Sequence, residues 1–199
     1  MFATSFVLGY HGCDKAAGER ILSNREHVAT SKNRYDWLGT GSYFWENNPR
    51  RAFQWADILR HHPKHHSRSI AHPFVVGAVI NLGNCLDLSD ATSLEILKSG
   101  YDELERTSRL AGTAMPANEA ATPSDLDLVK RHLDCAVINF VHALREKDGL
   151  RPFDTVRGPF TEGGELYPGS KIMAKTHVQI CVRDPETSVM AYFRPRGDH

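Results

Sequence analysis

The sequence predicts an α+β fold. Strand-like runs come first and last, the long helical patterns sit in the middle, and no strand–helix–strand unit carries a dinucleotide-type glycine loop. That order brings the first and last strands into one sheet.

The elements follow in turn. Residues 5–10 (SFVLGY) read as a short buried strand that ends at His11-Gly12, where glycine lets the chain turn. Asp14 is a good N-cap for a helix running to Leu22. Residues 23–42 are polar and irregular, closing on Leu38-Gly39-Thr40-Gly41-Ser42, and Tyr43-Phe44-Trp45 form a short aromatic strand. Asn47 or Asn48 caps a helix with Pro49 in its first turn and Ala52, Phe53, Ala56 and Leu59 on its inner face. Residues 73–82 (PFVVGAVINL) are the best central strand, and residues 91–110 a long helix. Ser124 opens a further helix, with Asp127 at the capping-box position and an apolar stripe from Leu126 to Leu144. Residues 153–176 read as a long loop. Residues 177–182 and 188–193 read as a closing hairpin around Asp184-Pro185-Glu186.

Bulk composition narrows the function classes. The 199 residues are 41% hydrophobic and 24% charged, within the range of an ordinary globular domain. Net charge is zero, so no overall basic field steers the chain to nucleic acid or a membrane. Residues 1–10 lack a signal-peptide pattern and no run reaches membrane-span length, which points to a cytoplasmic protein with no membrane partner. Cys13, Cys85, Cys135 and Cys181 form no CxxC pair and read as buried free thiols. The run His61-His62-Pro63-Lys64-His65-His66 has no carboxylate or cysteine at ligand spacing and reads as a solvated loop, so no metal is expected.

Three places interrupt strands with polar residues: Tyr10-His11-Gly12-Cys13, Gly39-Thr40-Gly41-Ser42-Tyr43-Phe44, and His177-Val178-Gln179-Ile180-Cys181-Val182. His-Gly sets an imidazole beside a bare backbone that a flat ligand can approach. Gly-x-Gly-x-Tyr-Phe sets an aromatic face beside a tight loop. Taken alone, each has a plainer reading as a strand-end histidine or a turn glycine pair before core aromatics.

Together these motifs resemble the NAD-binding half of the ADP-ribosyltransferase superfamily. The likeness is closest to the diphtheria-toxin and PARP branch, with its His, Tyr and third-residue signature, and to small bacterial ADP-ribosyltransferase-like toxins. It covers residues 5–60 well and 153–193 moderately; residues 86–150 match nothing in it and read as a mainly helical insertion in a single domain. The resemblance implies a split mixed or antiparallel β core with surrounding helices. It implies NAD as substrate, with cleavage of the nicotinamide N-glycosidic bond and transfer of one ADP-ribose. The acceptor would be a protein, a nucleic acid or a small molecule. For a toxin or defence effector, a neutralising antitoxin would be a further partner.

Carried over, His11 binds a ribose hydroxyl, Gly12 pairs through its backbone with the nicotinamide amide, Tyr43 stacks on the nicotinamide ring, and Gly41 shapes the loop beside it. The third signature position falls on Gln179, where many members have glutamate. Glutamine holds a ribose but brings no charge to the oxocarbenium ion, so single transfer is expected rather than chain elongation. Glu162 and Glu165 are candidate substitute carboxylates in the preceding loop, and Arg157 is a candidate phosphate ligand. His11, Tyr43 and Gln179 are expected to converge on one cleft floored by the His11-Gly12 backbone, with His11 and Tyr43 on the same face of the sheet. The alternatives are an NAD glycohydrolase, or a catalytically weak NAD or ADP-ribose binding module.

Overall fold

The computed structural model describes residues 5–61, 70–120 and 127–196. Those residues form an α+β fold built on a seven-stranded mixed sheet. The strands are β1 (Phe6–Asp14), β2 (Ser42–Glu46), β3 (Pro73–Asn81), β4 (Cys85–Asp87), β5 (Thr155–Phe160), β6 (His177–Val182) and β7 (Val189–Phe193). The helices are α1 (Lys15–Leu22), α2 (Pro49–His61), α3 (Ala91–Leu110), α4 (His132–Lys147) and the single turn α5 (Pro185–Ser188). The sheet order is β4-β5-β6-β2-β1-β3-β7; β4 and β5 run parallel and every other neighbour is antiparallel. The first strands therefore do meet the last in one sheet.

Side chains alternate between the two faces of a strand, so each face gathers its own core. One face holds Phe44, Val76, Ala78, Ile80, Ile180 and Val182, closed by Ile21 of α1 and by Val28. The other holds Leu86, Val156 and Cys181, covered by Leu38 and by Ile138 and Val141 of α4. On that same face α2 covers Trp45 and Val75. Helices α3 and α4 pack so closely that a Cβ on Gly100 would strike Val141.

Four expectations are corrected. Residues 177–182 and 188–193 are not a hairpin: β2 and β5 occupy both edges of β6, and β7 pairs with β3 instead. Residues 153–176 are not all loop, because β5 lies within them; its Gly158 and Pro159 hide the strand pattern. The first strand does not end at His11-Gly12 but runs on to Asp14, with Gly12 inside it; three-residue β4 is too short to show in the sequence. The helix expected from Ser124 begins at His132. Ser124 lies outside the described residues, but Lys130 exchanges two main-chain hydrogen bonds with Glu119, which holds that stretch extended. Asp127 accepts from Gly163 N rather than capping a helix. The α4 N–H groups are met from a distance, Asn118 Oδ1 accepting from Leu133 N at 2.9 Å.

The cap expected at Asp14 is present. Its Oδ1 accepts from Ala16 N at 2.9 Å and its Oδ2 from Ala71 N and His72 N, tying α1 to the start of β3. The four cysteines are free, and burial pushes the Cys13 thiol up to about 12 and Cys85 to about 11. No helix among the described residues is long and apolar enough to cross a membrane. Most of the His61–His66 run lies outside the described residues, and among the described ones no His, Cys, Asp or Glu group could hold a metal ion.

Candidate functional site

The site begins where the sheet opens. Strand β1 pairs with β3 along its whole length, from Phe6↔Asn81 to Asp14↔Pro73. Its pairing with β2 covers only Gly9↔Glu46 and Tyr10↔Trp45 and then stops. Beyond Tyr10 the two strands part.

Ladder geometry decides which main-chain groups face that gap. In an antiparallel strand the N–H and C=O of one residue point to the same side, and successive residues alternate. Leu8 O accepts from Asn47 N on the β2 side, while Lys15 N donates to His72 O on the β3 side. By this alternation Cys13 and His11 pair toward β3, and Gly12 turns its N–H and C=O toward the gap. Tyr43 stands two residues before Trp45, so its main-chain groups face the gap from the other side.

His11 spans the opening. Its Nδ1 lies 2.9 Å from Tyr43 O. A carbonyl only accepts, so Nδ1 carries the proton and donates. The imidazole thus supplies the cross-strand bond that the parted backbones no longer make. Its ring also lies 6.0 Å from Phe44, centroid to centroid.

Gly12 faces α2. A Cβ there would collide with the Ala52 carbonyl, so the missing side chain lets the helix backbone sit against the strand. Gly41 has a similar cause: a Cβ would strike Cys181 Sγ and Val182 O.

The expected single-face cleft is therefore corrected. His11 leaves β1 on the face of Gly9 and Cys13, the face of Phe44 and Ile80. Tyr43 and Gln179 lie on the opposite face, where Tyr43 stands across from Cys181 and Gln179 across from Trp45. The three residues occupy three adjacent strands, but His11 reaches Tyr43 through the gap and through its main chain. The Tyr43 ring is half-buried, and its hydroxyl donates to Gly39 O at 2.8 Å while accepting from Leu38 N at 3.0 Å. Desolvation holds that hydroxyl well above its ordinary pKa. Tyr43 thus latches the 38–41 turn, and α4 adds a second hold through Asn139 Oδ1, which accepts from Thr40 N at 3.0 Å.

Gln179 has a partner that sequence reasoning missed. Trp37 Nε1 donates to Gln179 Oε1 at 2.6 Å. No motif marks Trp37; it reaches Gln179 because the loop before Tyr43 folds down over β5 and β6.

The charged candidates are engaged elsewhere. Glu162 is not a solvated loop carboxylate but pairs with Arg51 of α2, both largely buried. Arg157 is not held ready for a phosphate: it binds both Glu46 oxygens, at 2.6 and 3.1 Å, and Asp87 at 3.0 Å. Those carboxylates raise its pKa. Glu165 is exposed and accepts from Gly169 N within its own loop. Two residues before Gln179, His177 is buried with Nδ1 donating to Lys175 O at 2.7 Å, and burial lowers its pKa. It is neutral at pH 7.

The chain is similar to an uncharacterized protein of Methanocaldococcus jannaschii, 24% identical over 192 residues that cover 88% of this chain and 81% of that protein. No family model and no solved structure matches.

Proposed function

We propose that the chain binds NAD across the β1–β2 gap, breaks its nicotinamide N-glycosidic bond and passes one ADP-ribose to an acceptor. The observation that carries this reading is the Gly12 peptide. A carboxamide has one acceptor oxygen and an N–H donor side by side, and it needs their complement from the protein. Gly12 offers an N–H and a C=O turned together into the gap, on a stretch where β1 has lost its partner strand. The three motifs that resemble the ADP-ribosyltransferase signature lie on three neighbouring strands, which supports the same reading.

In this reading Gly12 anchors the nicotinamide amide in the gap, and the Tyr43 ring meets the pyridinium from the face opposite His11. His11, whose Nδ1 is committed to Tyr43 O, meets a ribose hydroxyl. The bond between ribose C1′ and the pyridinium nitrogen breaks, and its electron pair leaves with nicotinamide. A lone pair of the acceptor then closes on C1′, and the acceptor's proton passes to solvent. The protein's part is chiefly positioning.

Gln179 places no carboxylate beside the developing cation, and Glu162 is neutralised by Arg51. That absence of charge favours single transfer, and it is the ground for the second readings, NAD hydrolysis or NAD binding with weak turnover. One assay separates them. The protein is incubated with NAD alone and nicotinamide is followed, then with labelled NAD and cell lysate. Label on macromolecules supports transfer. Nicotinamide without lysate supports hydrolysis, and binding without either supports a module. No binding at all overturns the reading.

A further inference from the structure

We propose that Trp37 is a positioning residue that fixes the Gln179 amide in one orientation, so that the site beside Gln179 presents two N–H donors and receives a ligand oxygen. This rests on the reading of Gln179 as a ligand-facing residue of an NAD-cleaving site.

The orientation follows from chemistry. An indole N–H only donates, so the amide atom 2.6 Å from Trp37 Nε1 is the oxygen. The amide nitrogen is then turned the other way. Among the described residues no side chain or carbonyl accepts from it, and it is absent from the buried unpartnered atoms, which do include its neighbours Trp45 Nε1 and His177 Nε2. The Gln179 N–H groups are therefore within reach of solvent.

The fold builds a seat for the indole. Gly158 of β5 stands directly opposite Gln179 in the sheet. A Cβ on Gly158 would lie 3.0 Å from Trp37 Cη2, so the bare position is the bay that admits the ring. Phe160, next on that face of β5, packs against the indole at 4.9 Å between centroids. The bare Gly158 thus leaves room for Trp37 beside Gln179, with Leu88 packed against the same position.

The consequence is a defined hydrogen-bond polarity. An unrestrained glutamine can turn either its oxygen or its nitrogen to a ligand. Held by Trp37, Gln179 only donates, so a ribose hydroxyl there is received through its oxygen and must send its own proton elsewhere. A carboxylate at this position would instead have one oxygen bound to the Trp37 N–H, which favours the ionised form.

Two measurements test the proposal. First, the indole N–H signals of the ¹⁵N-labelled protein are recorded, and Trp37→Phe identifies the Trp37 signal by its loss. Gln179→Leu is expected to move that signal upfield and to speed its exchange with solvent; an unmoved signal overturns the proposal. Second, nicotinamide release is followed against pH for Gln179→Glu, alone and combined with Trp37→Phe. Trp37→Phe alone is expected to lower kcat/KM about three- to tenfold, the range of one neutral hydrogen bond. In the double variant the acid limb of the profile should move to higher pH, a shift that lost packing alone would not produce. Coincident acid limbs overturn the proposal. A wild-type protein that neither binds nor cleaves NAD overturns the functional reading and this role with it, whereas an unmoved indole signal overturns the role alone.

Discussion

Several polar residues in this chain are committed to each other, and the commitments set what each can do. Tyr43 uses its hydroxyl on the Leu38–Gly39 turn, so Tyr43→Phe should leave most of the ring face and loosen the turn. Its expected cost is about 1 kcal/mol of stability with NAD affinity largely kept. Tyr43→Ala should also weaken NAD binding, by about 1–3 kcal/mol, by analogy with base–aromatic stacking. Chemical denaturation and calorimetric titration of the two variants check this pair. A second residue-scale effect lies far from the gap. His142 of α4 is 5% exposed, with both ring nitrogens unpartnered among the described residues. Burial and nearby Arg183 bring its pKa down to about 4 from the usual 6.5. The unfolded chain therefore takes up a proton at this histidine below pH 6.5, while the native state resists until pH 4. Stability from this source is complete above the upper value and falls as pH drops through the window, by about 3 kcal/mol in all at roughly 1.4 kcal/mol per unit. His177 shifts in the same direction. Melting curves at about pH 7 and about pH 4.5 should converge more closely for His142→Leu than for wild type.

At the scale of elements, local signals read well and distant ones did not. Asp14 announced α1, and Pro49 with the spacing of Ala52 and Ala56 announced α2, because both signals act within a turn or two. The α4 start does not show in the sequence because its N–H groups are met by Asn118, fourteen residues before His132 and brought alongside it by the Glu119–Lys130 bridge. Asn118→Ala should cost about 1 kcal/mol, as loss of an ordinary N-cap does, and a change in denaturation midpoint without a change in slope would record it. The candidate site was legible to the same degree. His11, Gly12 and Tyr43 are visible as motifs because glycines and aromatics break the strand pattern. Trp37 was not, since its role depends on Gly158, 121 positions later, lying under its ring. Arg157 and Glu162 were misjudged for a related reason: Glu46, Asp87 and Arg51 lie far away in sequence and claim their charges first.

For the whole molecule, the sheet order sets residues from both ends of the chain around one opening. Strands β1 and β2 part after Tyr10↔Trp45, His11 braces the gap, and the last long strand, β6, brings Gln179 to its flank. The claim that this opening receives the amide of NAD is tested most directly at the Gly12 main chain. In the ¹⁵N-labelled protein, saturating NAD should shift the Gly12 amide signal downfield and slow its exchange with solvent, with nicotinamide alone giving a smaller change at the same residue. A Gly12 amide that neither shifts nor gains protection at NAD concentrations that saturate binding elsewhere, or NAD that does not bind at all, would contradict the account.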